Sequence, residues 1–91
     1  MATNILSVGT TAANSADVVV EAGTPLTVAL KTAAGPNIAT SAQVDILLKD
    51  DAGQYFRVDS LTGAKRAVVI NGAGTYRFSR AAGEACGVFS A

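Results

Sequence analysis

The side chains able to do chemistry in this 91-residue chain are few, and their spacing limits what they can do. There is no histidine and a single cysteine, Cys86. Without an imidazole there is no Ser/His/Asp or Cys/His nucleophile system and no histidine metal ligand. One cysteine can neither close an internal disulfide nor build a zinc cluster. Cys86 lies between Ala85 and Gly87 in an apolar run, and Glu84 has the wrong sign to favour a thiolate, so it reads as a small core residue. Asp50 and Asp51, with Asp45 and Asp59 not far away, form the one acidic grouping. Calcium wants roughly six to eight convergent oxygens, but Asp45 falls on a strand face and the turn lacks spaced Asp/Asn ligands. A solvated turn accounts for them better. As an acid/base pair for glycoside chemistry they would need an aromatic cleft. Gly72-Ala73-Gly74 lacks the following helix and the Gly-Lys-Ser/Thr ending of a phosphate loop, and reads as a hairpin turn. The expectation is a chain with no catalytic residue, no cofactor and no metal.

What remains is a surface. Arg57, Lys65, Arg66, Arg77 and Arg80 concentrate positive charge in the second half, as solvated faces or as a surface meeting an acidic partner. Arg77 lies opposite the core face of an expected strand. Leu47 points outward if Val44, Ile46 and Leu48 point inward, either beneath a second packed surface or as a singly exposed leucine. Seven basic residues balance seven acidic ones, which argues against nucleic acid, whose phosphates demand a basic excess. No stretch approaches the roughly 20 apolar residues that span a bilayer, so no membrane partner is expected. Met1 to Ala16 carries no positive charge and no continuous apolar run, unlike a signal peptide, so synthesis in the cytoplasm is expected.

The elements that must position these residues read as strands. Large residues alternate with small or polar ones over Leu26–Lys31 and Gln43–Lys49, and Tyr76 and Phe78 alternate with Thr75, Arg77 and Ser79. Period two with β-branched enrichment marks strands with one buried face. Shorter candidates are Ile5–Val8, Asp17–Val20, Tyr55–Asp59, Ala67–Ile70 and Ala85–Phe89, and alanine-rich Thr10–Ala16 has room for a helical turn. Turn residues fall at Ala22–Pro25, Asp50–Gly53, Leu61–Ala64 and Asn71–Gly74, with Thr32–Ser41 the longest irregular connection. The expected fold is all-β: a single-domain β-sandwich of about seven to eight short antiparallel strands, immunoglobulin-like or jelly-roll-like. The core should hold Leu26, Val28, Leu30, Val44, Ile46, Leu48, Tyr76 and Phe78. Tyr76, after a glycine-rich turn, is either an ordinary core aromatic or one whose hydroxyl returns to the backbone, as in a tyrosine corner. Residues 1–16 are an N-terminal arm or a first edge strand, and residues 17–91 the sandwich. As an arm, Ile5, Leu6 and Val8 would add a strand to a neighbour's sheet edge.

Three segments, in order, carry a resemblance: Ala22–Val28; Val44–Asp50 through Tyr55; and Gly72–Arg77 through Gly87-Val88-Phe89. They resemble small virion proteins of tailed bacteriophages, especially capsid decoration or cement proteins. The resemblance covers most of the chain after residue 16 and is one of size, strand order and turn placement. It implies a non-enzymatic β-rich protein on the outer capsid surface of the virion. Such a protein binds the major capsid protein and stabilises contacts between its subunits, and is a homo-oligomer, most often a trimer. The alternatives are a phage tail or fibre-associated sandwich module, or a carbohydrate- or cell-surface-binding immunoglobulin-like domain. Ile5, Leu6, Val8, Leu47, Arg57 and Arg77 are the candidate partner-binding residues.

Overall fold

A computed structural model describes residues 2–33, 35, 38 and 41–91, and these form nine strands and no helix. The strands are β1 (Thr3–Gly9), β2 (Ala13–Asn14), β3 (Val18–Val20), β4 (Leu26–Lys31), β5 (Gln43–Lys49), β6 (Tyr55–Thr62), β7 (Ala67–Ile70), β8 (Gly74–Arg80) and β9 (Cys86–Ser90). One sheet runs β1-β9-β4-β7; the other runs β2-β8-β5-β6, with β3 following β2 along the same edge of β8. All pairs are antiparallel. The pairing is nested: β1 with β9, β2 and β3 with β8, β4 with β7, β5 with β6. Counting β2 and β3 as one broken strand, the chain is a long eight-stranded hairpin rolled into two sheets. That is a jelly roll, and it settles the choice between the two sandwich types.

Nesting explains the turns. The Asp50–Gln54 turn joins partners within one sheet, while every other connection between consecutive described strands passes to the opposite sheet except the break between β2 and β3. The Gly72-Ala73-Gly74 segment therefore arches between sheets instead of closing a hairpin. At the hairpin itself, Asp50 Oδ1 accepts the Ala52 and Gln54 amides at 2.9 and 2.7 Å, and Gly53 takes φ of 83°. A carboxylate bound to its own turn needs no cation to justify it.

Between the sheets lie Val28, Val44, Ile46, Leu61, Phe78, Cys86 and Val88, each essentially inaccessible to solvent. Leu30 and Tyr76 are also buried, and Leu26 and Leu48 pack half-buried at the rim. Three expectations need correction. Leu61 is not a turn residue: β6 runs on to Thr62 and places Leu61 beside Val44 in the core. Thr10–Ala16 holds no helical turn, because Ala13 and Asn14 pair with Arg80 and Ser79. Arg80 is not a surface cation; it faces Val44 across the ladder and is buried. Its Nε donates to Thr11 O at 2.7 Å and its Nη1 to Ser7 O at 2.6 Å and Cys86 O at 3.0 Å. A planar guanidinium thus ties the first crossover to β9. Glycine at position 9 is what lets it in, since a Cβ there would stand 2.8 Å from the guanidinium.

Tyr76 meets both readings at once. Its ring is in the core, and its hydroxyl donates to Gly72 O at 2.8 Å, four residues upstream. The Gly35-Pro36 connection is described only at Thr32, Ala33, Gly35, Ile38 and Ser41; Ile38 is buried.

Candidate functional site

The outer face of the β2/β3-β8-β5-β6 sheet gathers three of the six candidate residues into one row. Leu47 on β5 stands opposite Arg57 on β6 and Arg77 on β8. Directly opposed residues of an antiparallel ladder share a face, so Arg57, Leu47 and Arg77 lie side by side across three strands. Leu47 is half-buried, which resolves its anomaly: flanking arginines border it, not a second sheet. A bulge marks the spot. The register shifts between Ile46 and Leu47, leaving Val58 unpaired between Arg57 and Asp59 and 53% exposed.

Around this row is a network that sequence reasoning missed. Asp17, just before β3, accepts the Tyr55 hydroxyl at 2.8 Å and lies 3.2 Å from Lys49 Nζ and 3.5 Å from Arg77 Nη2. Arg77 Nη2 also donates to Tyr55 Oη at 2.8 Å, while its guanidinium carbon sits 3.9 Å from the Tyr55 ring centroid. Stacked in this way, Arg77 is held with its Nε buried and without a hydrogen-bond partner. On the other side of Leu47, Gln43 Nε2 donates to Asp45 Oδ1 at 2.9 Å, and Arg57 reaches that oxygen at 3.8 Å. The Tyr55 hydroxyl first, then the Lys49 ammonium, holds the Asp17 carboxyl below its ordinary value; Asp17 in turn raises Lys49. The available signal was that Asp17 is the first charge in the chain, next to an apolar strand. The topology that brings it to Tyr55, 38 residues on, is not a local property.

The remaining candidates sit elsewhere. Ile5, Leu6 and Val8 belong to β1, at the edge of the other sheet, where β1 pairs with this chain's own β9. Leu6 is buried in the core and unavailable to a partner, whereas Ile5 and Val8 are half-buried. Within this chain Thr3–Gly9 is an edge strand on β9, and Ala13–Asn14 pairs with β8 in the opposite sheet. Gly87 allows the pairing of β1 with β9: a Cβ there would stand 2.5 Å from Leu6 O. The outer face of this second sheet carries an open groove of about 750 Å³ bordered by Asn4, Ala29, Lys31, Ala67 and Phe89.

Among the described residues no three His, Cys, Asp or Glu side chains come together. Burial pushes the Cys86 thiol up, away from thiolate chemistry. The arrangement can hold a rigid patch of arginine, tyrosine and leucine against another surface, the residue types that dominate binding energy at interfaces being Trp, Tyr and Arg.

No family model matches the chain, and no curated relative does. A solved structure, that of the SPBc2 prophage-derived protein YomS, is similar to it over its whole length. The match covers 100% of this chain and 92% of that one, at a TM-score of 0.62 and 15% sequence identity. This likeness is one of fold.

Proposed function

We propose that this chain is a non-enzymatic structural protein of a phage virion, a capsid decoration or cement protein that binds the outer surface of the head and stabilises contacts between capsid subunits. The observation that carries the reading is the end-to-end fold likeness to a prophage-derived protein. The preorganised outer face agrees with it. A binder needs shape and immobilised anchors; Arg77 stacked on Tyr55 and hydrogen-bonded through it meets a partner with little further ordering cost. Repetition on a particle multiplies modest contacts through effective concentration. The major capsid protein is the proposed partner, and the Arg57–Leu47–Arg77 row the proposed contact.

Purified particles decide this. Quantitative mass spectrometry should find the chain at a fixed ratio to the major capsid protein, and cryo-electron microscopy should place it on the outside of the head. Particles lacking it should lose their contents at lower temperature. Absence from the particle, or confinement to the tail, overturns the reading. Replacing Arg57 and Arg77 together by alanine should weaken particle binding at least tenfold, on the order of 1.4 kcal/mol or more, with the melting transition retained.

A further inference from the structure

The jelly roll has four sheet edges, and three are blunted. The β2/β3 edge is interrupted between Asn14 and Val18. The β1 edge carries two register shifts. The β6 edge carries the bulge at Val58 and the charges of Arg57 and Asp59. These are the devices by which proteins keep sheet edges from pairing. Among the described residues the fourth edge has no interruption, register shift or charge within the strand, and is limited only by its length of four residues. β7, Ala67-Val68-Val69-Ile70, is uncharged, free of glycine and proline, and pairs with β4 without a register shift. Val69 is 51% exposed.

We propose that β7 is a self-docking edge, pairing antiparallel with β7 of a second copy about a two-fold axis through Val68, so that the two four-stranded sheets become one of eight. This stands apart from the virion reading, since it follows from the edge alone. The register is fixed by hydrogen-bond parity. The Leu30 amide donates to Arg66 O at 2.8 Å, so positions 66, 68 and 70 exchange bonds with β4, and the N–H and C=O groups of Ala67 and Val69 point away from the sheet. Opposed residues must share a face, so the axis passes through a residue, not between two. Placed at Val68, it sets each Ala67 opposite the other copy's Val69 and forms four backbone bonds within the strands. Placed at Val69, it keeps only the two Val69–Val69 bonds within the strands and sends the Ala67 groups of each copy to Asn71, outside the strand. With the axis at Val68 each Lys65 falls opposite Asn71 of the second copy, so no like charges oppose one another. Four residues bury far less than the roughly 1,200 Å² of a standard stable interface. The pairing is therefore weak in solution and gains from crowding.

Cysteine scanning in a Cys86→Ala background tests it. A non-hydrogen-bonded pair at Val68 sets the Cα atoms about 4.5 Å apart, within disulfide reach. The two Val69 positions would be about 8 Å apart by strand rise and spacing, beyond it. In a glutathione redox buffer, Val68→Cys should give at least tenfold more disulfide dimer than Val69→Cys, although Val69 is the more exposed. Val69→Pro removes an outward N–H and leaves the β4 ladder whole; it and Val69→Lys should weaken association at least tenfold in sedimentation, with circular dichroism melts unchanged. Equal or faster trapping through Val69→Cys overturns the proposal, as does a wild-type chain that stays monomeric to about 1 mM or an association indifferent to Val69→Lys. Trapping of Val68→Cys to a different protein on particles, without the homodimer, overturns the second copy as occupant.

Discussion

Arg80 is the residue on which most of the crossover depends. Its guanidinium is buried and reaches three backbone carbonyls, on Ser7, Thr11 and Cys86, from three separate segments. Hydrogen bonds to a charged group contribute roughly 1.5–3 kcal/mol each when their loss leaves a buried partner unsatisfied. Arg80→Ala should cost about 2–4 kcal/mol, and Arg80→Lys should rescue little, because a single ammonium nitrogen cannot span the carbonyls that Nε and Nη1 reach separately. Scanning calorimetry reads this as a fall of several degrees per kcal/mol in a domain of this size. Asp17 and Asp59 contribute to the acid side of the stability curve. Tyr55 and then Lys49 depress Asp17, and Lys65 at 2.8 Å with the Ser60 amide depresses Asp59. A depressed carboxyl contributes stability that is present above its ordinary value of 3.8 and is lost as pH falls through its lower folded value. The melting temperature should hold level from about pH 7 to 5 and drop below about pH 4. Asp17→Asn should make the acid limb shallower; an unchanged limb would mean that the exposed network adds nothing measurable.

Broken strands show what local pattern reveals and what it hides. β2 and β3 lie along one edge of β8, separated by Ser15, Ala16 and Asp17. Ser15 fills the gap: its amide donates to Phe78 O at 2.8 Å, and its Oγ accepts the Phe78 amide at 3.0 Å. A hydroxyl therefore replaces the missing ladder partner of a core residue's backbone. Ser15→Ala should cost about 1–3 kcal/mol by leaving that buried N–H unpaired, and amide exchange at Phe78 should speed up accordingly. Period-two alternation announced β4, β5 and β8 because large apolar residues recur at every second position over most of each strand. It failed at Leu61, where the neighbouring Thr-Gly resembled a turn and the strand ran on. It failed for Arg80 because nothing local distinguishes a cation satisfied by distant carbonyls from one in water. The row formed by Arg57, Leu47 and Arg77 was half legible: alternation assigned Leu47 and Arg77 to outer faces, but only the nested pairing places them together. Asp17 and Tyr55 were silent in the sequence for the same reason.

At the scale of the molecule, the nested hairpin makes the two ends of the chain mutually dependent. β1 and its partner β9 are the pair most widely separated along the ribbon. β1 is nonetheless part of the fold. Leu6 lies in the core opposite Val88, Ser7 O accepts from Arg80, and Gly87 is shaped to the β1 backbone. Burying one leucine contributes roughly 1.5–3 kcal/mol, and the Arg80 bond to Ser7 roughly 1.5–3 more. The whole domain is expected to hold only about 5–14 kcal/mol against unfolding at its length. Deleting residues 2–13 removes both contributions, strips one side of β9 and uncovers Val88. The truncated chain should lose its cooperative melting transition at ordinary temperatures, with exposed apolar surface binding a dye such as ANS. The contrary result, an intact transition with loss only of self-association or particle binding, would mean that β1 serves a neighbouring copy and that the pairing with β9 is exchanged between chains. A milder probe separates the two. Leu6→Ala leaves the strand and its backbone bonds in place and should cost about 2–5 kcal/mol if the side chain packs within its own sandwich. A strand whose job lay with a neighbour would make the stability of Leu6→Ala depend on protein concentration, which the intramolecular core does not.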